Sequence, residues 1–293
     1  MKKIYFFVLI CFLLFSSQSA PVQVIPAEES APEKGIELRY PVILVHGIAR
    51  NDRINSYPWG RIPVILREHG VEVYSGNTDS WGDIVSNAEL LKGTVDSILE
   101  NTNHERVNII AHSKGGIDSR YLIWAYDYGD KVASLTTIST PHNGAEIADF
   151  FFNSRVIHTR SARRGLQDIG RMFGDVNPDI YSVNQNLTTE NMGEFNANVI
   201  KDRRVYYQSF YSVMDDLSDD PVYSLSYAHI KSISGENDGL VSAKSASWGE
   251  SPVRIPISLS HKQIIDQGIR KFPGMEIPDI YLDIVRKLGS MGF

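Results

Sequence analysis

Cysteine is almost absent from this chain. The single cysteine, Cys11, lies inside an apolar run near the N-terminus. If that run is removed, the remaining protein contains no thiol, which excludes disulfides and thiol chemistry. Lipid attachment at Cys11 is disfavoured because Ile10, rather than a small residue, precedes it. The fold must therefore rest on its hydrophobic core, and about 270 residues are enough to form one large core.

Long hydrophobic runs are lacking as well. Lys2 and Lys3 precede an apolar run of twelve residues, 4–15, and small residues follow as far as Ala20. Twelve residues are too few to span a bilayer. A basic start, a short apolar run and a small-residue zone are typical of a secretory signal peptide. We therefore predict a signal peptide over residues 1–20 and a secreted protein, extracellular or periplasmic; the alternative is an uncleaved N-terminal anchor.

Positive charge is scarce. With Lys2 and Lys3 removed, 27 basic residues face 35 acidic residues, a formal charge of −8. The sequence contains no basic cluster of the size that nucleic acid or an anionic membrane requires, so neither is expected as an electrostatic partner. It also contains no internal repeat and no low-complexity run. Nothing in it indicates an oligomeric state.

From Tyr40 onwards, the chain alternates between segments typical of strands and of helices. Residues 21–39, rich in proline and glutamate, predict a flexible lead-in. The predicted strands are 41–45, 71–74, 107–111, 131–138, 229–235 and 253–257, and the predicted helices are 58–70, 84–101, 117–124 and 281–288. Pro256 indicates that the last strand is an edge strand or that the strand ends there. This alternation predicts an α/β domain over residues 40–293, with a mostly parallel central sheet and helices on both faces.

Residues 145–228 interrupt this alternation and are rich in aromatic side chains. Apolar residues recur there at helical spacing, with arginines between them: Leu166, Ile169, Met172, Phe173 and Val176. One interpretation is an amphipathic lid or cap inserted over an apolar pocket. The alternative is an ordinary helix packed on the core. Four aspartates in this region are predicted to be solvated: Asp215, Asp216, Asp219 and Asp220.

The strand at 107–111 leads through His112, Ser113 and Lys114 into a helix. A serine at the tip of a tight strand-to-helix turn is typical of a nucleophile elbow, in which strain pushes the hydroxyl above the sheet. Close packing of strand and helix requires small residues two positions before and after the serine, and Ala111 and Gly115 occupy those positions. The alternative is a passive serine in an ordinary turn.

A serine nucleophile needs a histidine base and a carboxylate that orients it. In folds with such an elbow, the acid follows the serine in the chain and the histidine comes last. Of the eight histidines, only His261 follows the last predicted strand. Asp238 lies just after a predicted strand and is the preferred acid, with Glu236 as the alternative.

Two backbone amides are candidates for an oxyanion hole. Lys114 follows the nucleophile at the start of a helix, and Ile48 follows His46-Gly47 at the end of the first strand. Amides at these positions can stabilise a tetrahedral oxyanion. We interpret the His46 side chain as structural and the Lys114 side chain as solvent-facing.

Taken together, the sequence resembles the secreted bacterial triacylglycerol lipases of the α/β-hydrolase superfamily. The segments that carry the resemblance are 41–47, 107–116, 139–144, 237–241 and 260–261. The resemblance implies the α/β-hydrolase fold with a lid. It also implies Ser113 as nucleophile, His261 as base, Asp238 as acid, and the Ile48 and Lys114 amides as oxyanion hole.

Many members of that group hold a structural calcium ion near the catalytic histidine. The resemblance would place its ligands at Gln263, Asp216 and Gln267, where Gln263 replaces an aspartate. A neutral amide weakens a site for a hard cation. We therefore predict no tightly bound calcium and no other cofactor.

The resulting hypothesis is a secreted lipase that hydrolyses acylglycerol esters at a lipid–water interface. One alternative is an esterase or acyltransferase for soluble esters or phospholipids. Another, from a different class, is a catalytically inactive hydrolase fold that serves as a binding protein.

Overall fold

The computed structural model describes residues 35–49, 58–154, 157–172, 175, 178–268 and 274–293. The predicted signal peptide and most of the predicted lead-in lie outside these residues. So do Phe173 and Val176 of the predicted lid, and the side chains of Ile169 and Met172. Within the described ranges, no helix combines the length and the apolar character needed to cross a membrane.

Six parallel strands form one central sheet in the order β2-β1-β3-β4-β5-β6. The strands are β1 (Val42–Val45), β2 (Val73–Ser75), β3 (Val107–His112), β4 (Val132–Ile138), β5 (Tyr206–Val213) and β6 (Val253–Ser258). The central strands β1, β3 and β4 are buried throughout. Their apolar, β-branched sequences suit strands that are covered on both faces. β6 lies at one edge of the sheet, as Pro256 predicts.

Ten α-helices lie within the described residues. They are α1 (Ile62–Glu68), α2 (Ile84–Asn101), α3 (Lys114–Ala125), α4 (Glu146–Phe152), α5 (Arg160–Met172), α6 (Ile180–Asn186), α7 (Thr189–Asn198), α8 (Ser224–Ser234), α9 (Ala243–Ala246) and α10 (Ile277–Ser290). Side-chain caps fix where several of them begin; Asp83, for example, accepts the Ser86 amide at 2.9 Å at the start of α2.

Helices cover both faces of the sheet. On one face, Leu91 and Val95 of α2 and Leu122 of α3 pack against the apolar side chains of β1 and β3. On the other face, α1 and α10 pack together with the opposite sides of the same strands, and Tyr281 is fully buried there. The prediction of a parallel sheet between two layers of helices is thereby confirmed.

One predicted strand is wrong. Residues 229–235 lie mostly in helix α8, whose buried Tyr227 and Ile230 follow helical spacing. The strand that completes the sheet is β5, which lies inside the range 145–228. β5 was not predicted because it carries polar side chains. Gln208, for example, is buried and donates to Thr136 Oγ1 at 2.9 Å. Helices α4–α7 lie between β4 and β5, and α8 and α9 lie between β5 and β6, so β5 divides the range 145–228 into two parts.

The end of the predicted flexible lead-in is docked on the domain. The Ile36 amide donates to the His69 carbonyl at 2.8 Å, and the Arg39 amide donates to the carbonyl of Phe293 at 2.9 Å. Ile36 and Leu38 also pack against the core on the α1 and α10 face. Residues 35–39 therefore belong to the folded domain, because their two apolar side chains find a buried surface.

Candidate active site

Ser113 lies at the tip of the turn between β3 and α3. Its backbone has φ 55° and ψ −131°, a conformation that costs a residue other than glycine about 1–3 kcal/mol. The close approach of the start of α3 to the end of β1 explains why residue 115 is a glycine. A Cβ atom on Gly115 would lie 2.5 Å from the carbonyl oxygen of His46. The strained turn of the predicted elbow is present.

This close approach makes Gly115→Ala a destabilising change. The new methyl group would meet two backbone oxygens, those of Val45 and His46, which cannot rotate away. We expect a loss of about 1–3 kcal/mol in the free energy of unfolding, measured by urea denaturation. Gly93→Ala in α2 is the matched control, because nothing lies within 4 Å of its added Cβ. That change should be neutral or stabilising; equal effects at both positions would contradict the packing argument.

The three predicted side chains form one hydrogen-bonded chain. His261 Nε2 lies 2.9 Å from Ser113 Oγ, and His261 Nδ1 lies 2.8 Å from Asp238 Oδ2. With the proton on Nδ1, the ring donates to the carboxylate and Nε2 accepts the serine proton. Ser113 directly follows β3, and His261 comes three residues after β6, so both lie at the carboxyl edge of the sheet. Asp238 follows helix α8, and its loop is held at the end of β5 by the Met214 amide, which donates to the Asn237 carbonyl at 2.9 Å.

Asp238 is held by the loop that carries it. Its Oδ1 accepts the Leu240 amide at 3.1 Å and the Val241 amide at 2.8 Å. The backbone of His261 is tied to the same loop, since its amide donates to the Asp238 carbonyl at 2.8 Å. The alternative acid, Glu236, is exposed and pairs with Arg254 at 2.9 Å. Asp238, and not Glu236, therefore contacts the imidazole.

The two predicted oxyanion donors flank the serine. Gly47 lies so close to Ser113 that a Cβ on it would be 2.6 Å from the Ser113 Cβ. Ile48, the next residue, lines the pocket together with Ser113. Lys114 is the first residue of α3, where the backbone N–H has no partner within the helix. Both amides therefore lie beside the nucleophile.

The side chains of His46 and Lys114 lie next to the two oxyanion donors, and only the prediction for His46 agrees with the structure. His46 is buried and bonds to backbone oxygens: Nδ1 is 2.8 Å from the Gly47 carbonyl oxygen. This matches a structural role. The prediction for the Lys114 side chain is wrong, because it is 1% exposed and its Nζ donates to both carboxylate oxygens of Asp118 at 2.6 and 2.8 Å. Burial raises the pKa of the Asp118 carboxyl, and the Lys114 ammonium opposes that rise.

His142 is a third buried imidazole near the sheet edge. Arg120 donates to its Nδ1 at 3.1 Å, so Nε2 carries the proton and donates to Thr137 Oγ1 at 3.0 Å. The ring also stacks on Trp248 with a centroid separation of 4.3 Å. Burial lowers the pKa of His142 well below its usual range. It is a neutral structural histidine of the segment 139–144.

A small, largely apolar pocket opens above Ser113. Its lining residues come from the oxyanion loop, the elbow and the two loops that carry the acid and the base: Ile48, Ala49, His112, Ser113, Tyr223, Leu240, His261, Lys262 and Ile265. Ser113 is 5% exposed and His261 is 4% exposed. The reacting groups are therefore nearly closed off from solvent in this conformation.

The prediction that all four aspartates of the acidic cluster are solvated is wrong for two of them. Asp219 and Asp220 are buried, whereas Asp215 and Asp216 are exposed. Asp219 Oδ2 accepts the Asp215 amide at 2.7 Å and closes its own turn. Asp220 Oδ1 lies 3.2 Å from Lys262 Nζ. Burial of these charges follows from hydrogen bonds that the sequence alone does not reveal.

Gln263, one of the three implied calcium ligands, does not fit a calcium site. The Gln263 amide is already bonded to protein at both ends: Oε1 accepts the Ser260 amide at 2.9 Å and Nε2 donates to the Asp219 carbonyl at 3.0 Å. The neighbouring carboxylate of Asp220 is already paired with the Lys262 ammonium. Within the described ranges, no three His, Cys, Asp or Glu side chains are grouped in a way that would hold a metal ion.

Three residues near the base were not identified from the sequence. His112 Nε2 lies 2.9 Å from the His261 carbonyl oxygen, and the two rings pack at a centroid distance of 4.5 Å. Asp220 and Lys262 form the ion pair just described. The only available signal for two of them was adjacency in the chain: His112 precedes the nucleophile and Lys262 follows the base. Nothing local pointed to Asp220.

Comparisons with known proteins agree with this geometry. The sequence is 44% identical over 117 residues to a triacylglycerol lipase of Pseudarthrobacter phenanthrenivorans, a stretch that is 38% of this chain and 36% of that protein. It is also 44% identical over 117 residues to one of Burkholderia plantarii, covering 38% and 32%. The chain thus spans about a third of the length of these curated relatives. The resemblance to bacterial triacylglycerol lipases is confirmed.

A solved structure shows the same fold. The crystal structure of Staphylococcus hyicus lipase superimposes with a TM-score of 0.69 at 18% identity, covering 90% of this chain and 98% of that one. The predicted α/β-hydrolase fold is thereby confirmed. The family model described as palmitoyl protein thioesterase matches residues 41–211, more than half of the sequence. The chain belongs to the palmitoyl protein thioesterase family.

Proposed function

We propose that this protein is a lipase, which hydrolyses the carboxylic esters of acylglycerols through an acyl-enzyme intermediate. The observation that carries the proposal is the continuous hydrogen-bonded chain from Ser113 through His261 to Asp238, with distances of 2.9 and 2.8 Å. Such a chain raises the reactivity of a serine hydroxyl that is otherwise a poor nucleophile at neutral pH. The apolar lining by Ile48, Leu240 and Ile265 suits an acyl chain.

The proposed reaction has two halves. Ser113 Oγ attacks the ester carbonyl while His261 Nε2 takes the serine proton, and Asp238 stabilises the imidazolium that forms. The amides of Ile48 and Lys114 donate to the developing oxyanion; each such donor is worth about 3 kcal/mol in comparable sites. His261 then protonates the leaving alcohol. In the second half, water loses a proton to His261 and attacks the acyl carbon. The bond between the acyl carbon and Ser113 Oγ then breaks, His261 returns the proton to Ser113 Oγ, and the fatty acid leaves.

A second candidate substrate class is an acyl thioester. The match of residues 41–211 to the palmitoyl protein thioesterase model favours it. The same three side chains and two amides would serve both substrates, since thioester hydrolysis also passes through a tetrahedral oxyanion. The two candidates differ only in the leaving group, an alcohol or a thiol.

The test is a panel of substrates given to the full chain. We expect hydrolysis of short- and long-chain triacylglycerols, assayed below and above their solubility limits, with Ser113→Ala as the inactive control. Rates that rise above the solubility limit support a lipase that works at an interface. Activity confined to dissolved short esters supports the esterase alternative. Preference for a palmitoyl thioester over the matched oxygen ester supports the thioesterase. Absence of all hydrolysis would overturn the proposal in favour of a binding protein.

We also propose that the protein is exported. The support is the basic, apolar and small-residue pattern of residues 1–20, which lies outside the described residues. Expression in a bacterial host should yield a shortened chain outside the cytoplasm, with an intact-mass decrease that corresponds to about twenty residues. A full-length chain retained with the membrane would instead support the uncleaved anchor.

A further inference from the structure

The carboxylate of Asp220 contacts both chain neighbours of the base His261. Ser260 Oγ donates to Asp220 Oδ2 at 2.7 Å, and Lys262 Nζ lies 3.2 Å from Asp220 Oδ1. Asp220 is 3% exposed, so water competes little for these bonds. Residues 260 and 262 flank His261 directly. One buried carboxylate therefore holds the side chains of both residues that flank the imidazole.

A second set of bonds ties the same two loops together. Gln263 links the Ser260 amide at 2.9 Å to the Asp219 carbonyl at 3.0 Å, and Ser258 Oγ donates to Asp219 Oδ2 at 2.5 Å. Residues 219–220 thus hold the segment 258–263 at four points. The base loop has no regular helix or strand around His261 itself, apart from the short 3₁₀ turn Gln263–Ile265 that follows it. Side-chain bonds must supply the rigidity that a strand would otherwise provide.

We propose that Asp220 is a positioning residue for His261, and that its charge also neutralises Lys262 beside the pocket. The inference rests on the proposed function for its meaning in catalysis. A displacement of the base by about 1 Å can cost about 100-fold in rate, so a buried bond that sets its position matters for turnover more than for substrate binding.

The charge of Asp220 has a separate consequence. Among the described residues, the titratable groups that contact His261 or line its pocket are Asp238, His112, Tyr223, and Lys262 with its partner Asp220. Lys262 is 12% exposed, so its charge is poorly screened by solvent. If Asp220 becomes neutral, the unpaired ammonium disfavours a second positive charge on the imidazole. The acidic limb of the pH–rate profile then moves to lower pH. If Lys262 becomes neutral, the unpaired carboxylate moves that limb to higher pH.

The experiment compares Asp220→Asn, Lys262→Met and the double variant with wild type on a soluble short-chain ester. Asp215→Asn is the matched control, because Asp215 lies in the same loop, is exposed and loses the same charge. We expect Asp220→Asn to lower kcat by about 10–100-fold with KM changed less than about 2-fold. The two single variants should shift the acidic limb in opposite directions, and the double variant should bring it back. Asp215→Asn should match wild type.

An NMR measurement, which does not require catalytic activity, tests the role of Asp220 independently of the proposed lipase function. The Nδ1–H proton between His261 and Asp238 should give a downfield NMR signal that disappears in Asp238→Asn. We expect this signal to weaken in Asp220→Ala while the thermal unfolding midpoint shows a folded protein. An inactive wild type would overturn the lipase proposal, and the NMR signal would still decide the role of Asp220. Wild-type kcat, pH profile and NMR signal in the Asp220 variants would overturn the positioning role.

Discussion

Replacing Ser113 by alanine is expected to lower kcat for ester hydrolysis by about 10⁶-fold. The hydroxyl lies 2.9 Å from His261 Nε2 and is the group that forms the acyl-enzyme in the proposed reaction. Without it, the base and the oxyanion amides remain but the reaction must proceed by direct attack of water, which retains only about 10³–10⁴-fold catalysis over water. The measurement is steady-state hydrolysis of a chromogenic ester, together with a burst experiment that counts acylated sites.

Ser119→Ala is the control for this change. Ser119 is another fully buried serine, one turn along α3, and its Oγ donates to the Gly115 carbonyl at 2.7 Å without touching His261. We expect its loss to lower the free energy of unfolding by about 1 kcal/mol and to leave kcat nearly unchanged. If Ser113→Ala kept more than a small fraction of wild-type kcat, the assignment of the nucleophile would fail, and the reaction scheme with it.

Removing the Asp118 carboxylate is expected to have the largest effect on stability. Asp118→Ala leaves the Lys114 ammonium buried, with both Asp118 oxygens gone and only 1% exposure to water. Breaking a buried pair in this way costs about 3–5 kcal/mol. The Asn87 amide, which donates to Asp118 Oδ2 at 3.0 Å, loses a partner as well. Urea denaturation monitored by tryptophan fluorescence measures the loss.

Two comparisons show whether the unpaired charge is the cause. The double variant Lys114→Met with Asp118→Leu removes both charges, and we expect it to recover most of the stability. Asp283→Ala breaks an exposed pair with Arg286 on α10, for which we expect a change of at most about 1 kcal/mol. If the double variant were as unstable as Asp118→Ala, the lost stability would come from the altered side-chain shape and not from the unpaired charge.

The strands and the site residues that could be predicted have strong local patterns. β1 is a run of four apolar residues, and apolar residues predominate in β3 and β4; such runs identify strands buried on both faces. Ser113 and His261 could be predicted because their positions after β3 and β6 are local facts, and in a parallel sheet such positions meet at one edge. Asp238 was predicted from its order in the chain and from a preceding strand that is in fact helix α8, so its contact with His261 did not follow from the sheet alone.

The failures have a common physical cause, which is polar groups buried with a partner. β5 carries Gln208 and Ser209, whose side chains bond to Thr136 and to the Trp248 carbonyl, and so it did not resemble a core strand. Charged residues are almost never fully buried unless they are paired, so exposure is the default expectation for any one of them. Lys114 and Asp118 lie four residues apart on a helix, a spacing at which side chains can pair, but this signal was not used and Lys114 was predicted to face solvent. Asp220 and Lys262, far apart in the chain, gave no such signal.

The edges of the sheet carry a consequence for behaviour in concentrated solution. β2, at one edge, has only three residues, and β6, at the other, contains Pro256 and the exposed Arg254. A proline removes one backbone donor, and a charged side chain at an edge opposes pairing with a strand of another chain. Among the described strands, neither edge offers a long flat template for pairing with another chain. The fold is thereby protected against edge-to-edge aggregation, the hazard that any open sheet carries when many copies are crowded together.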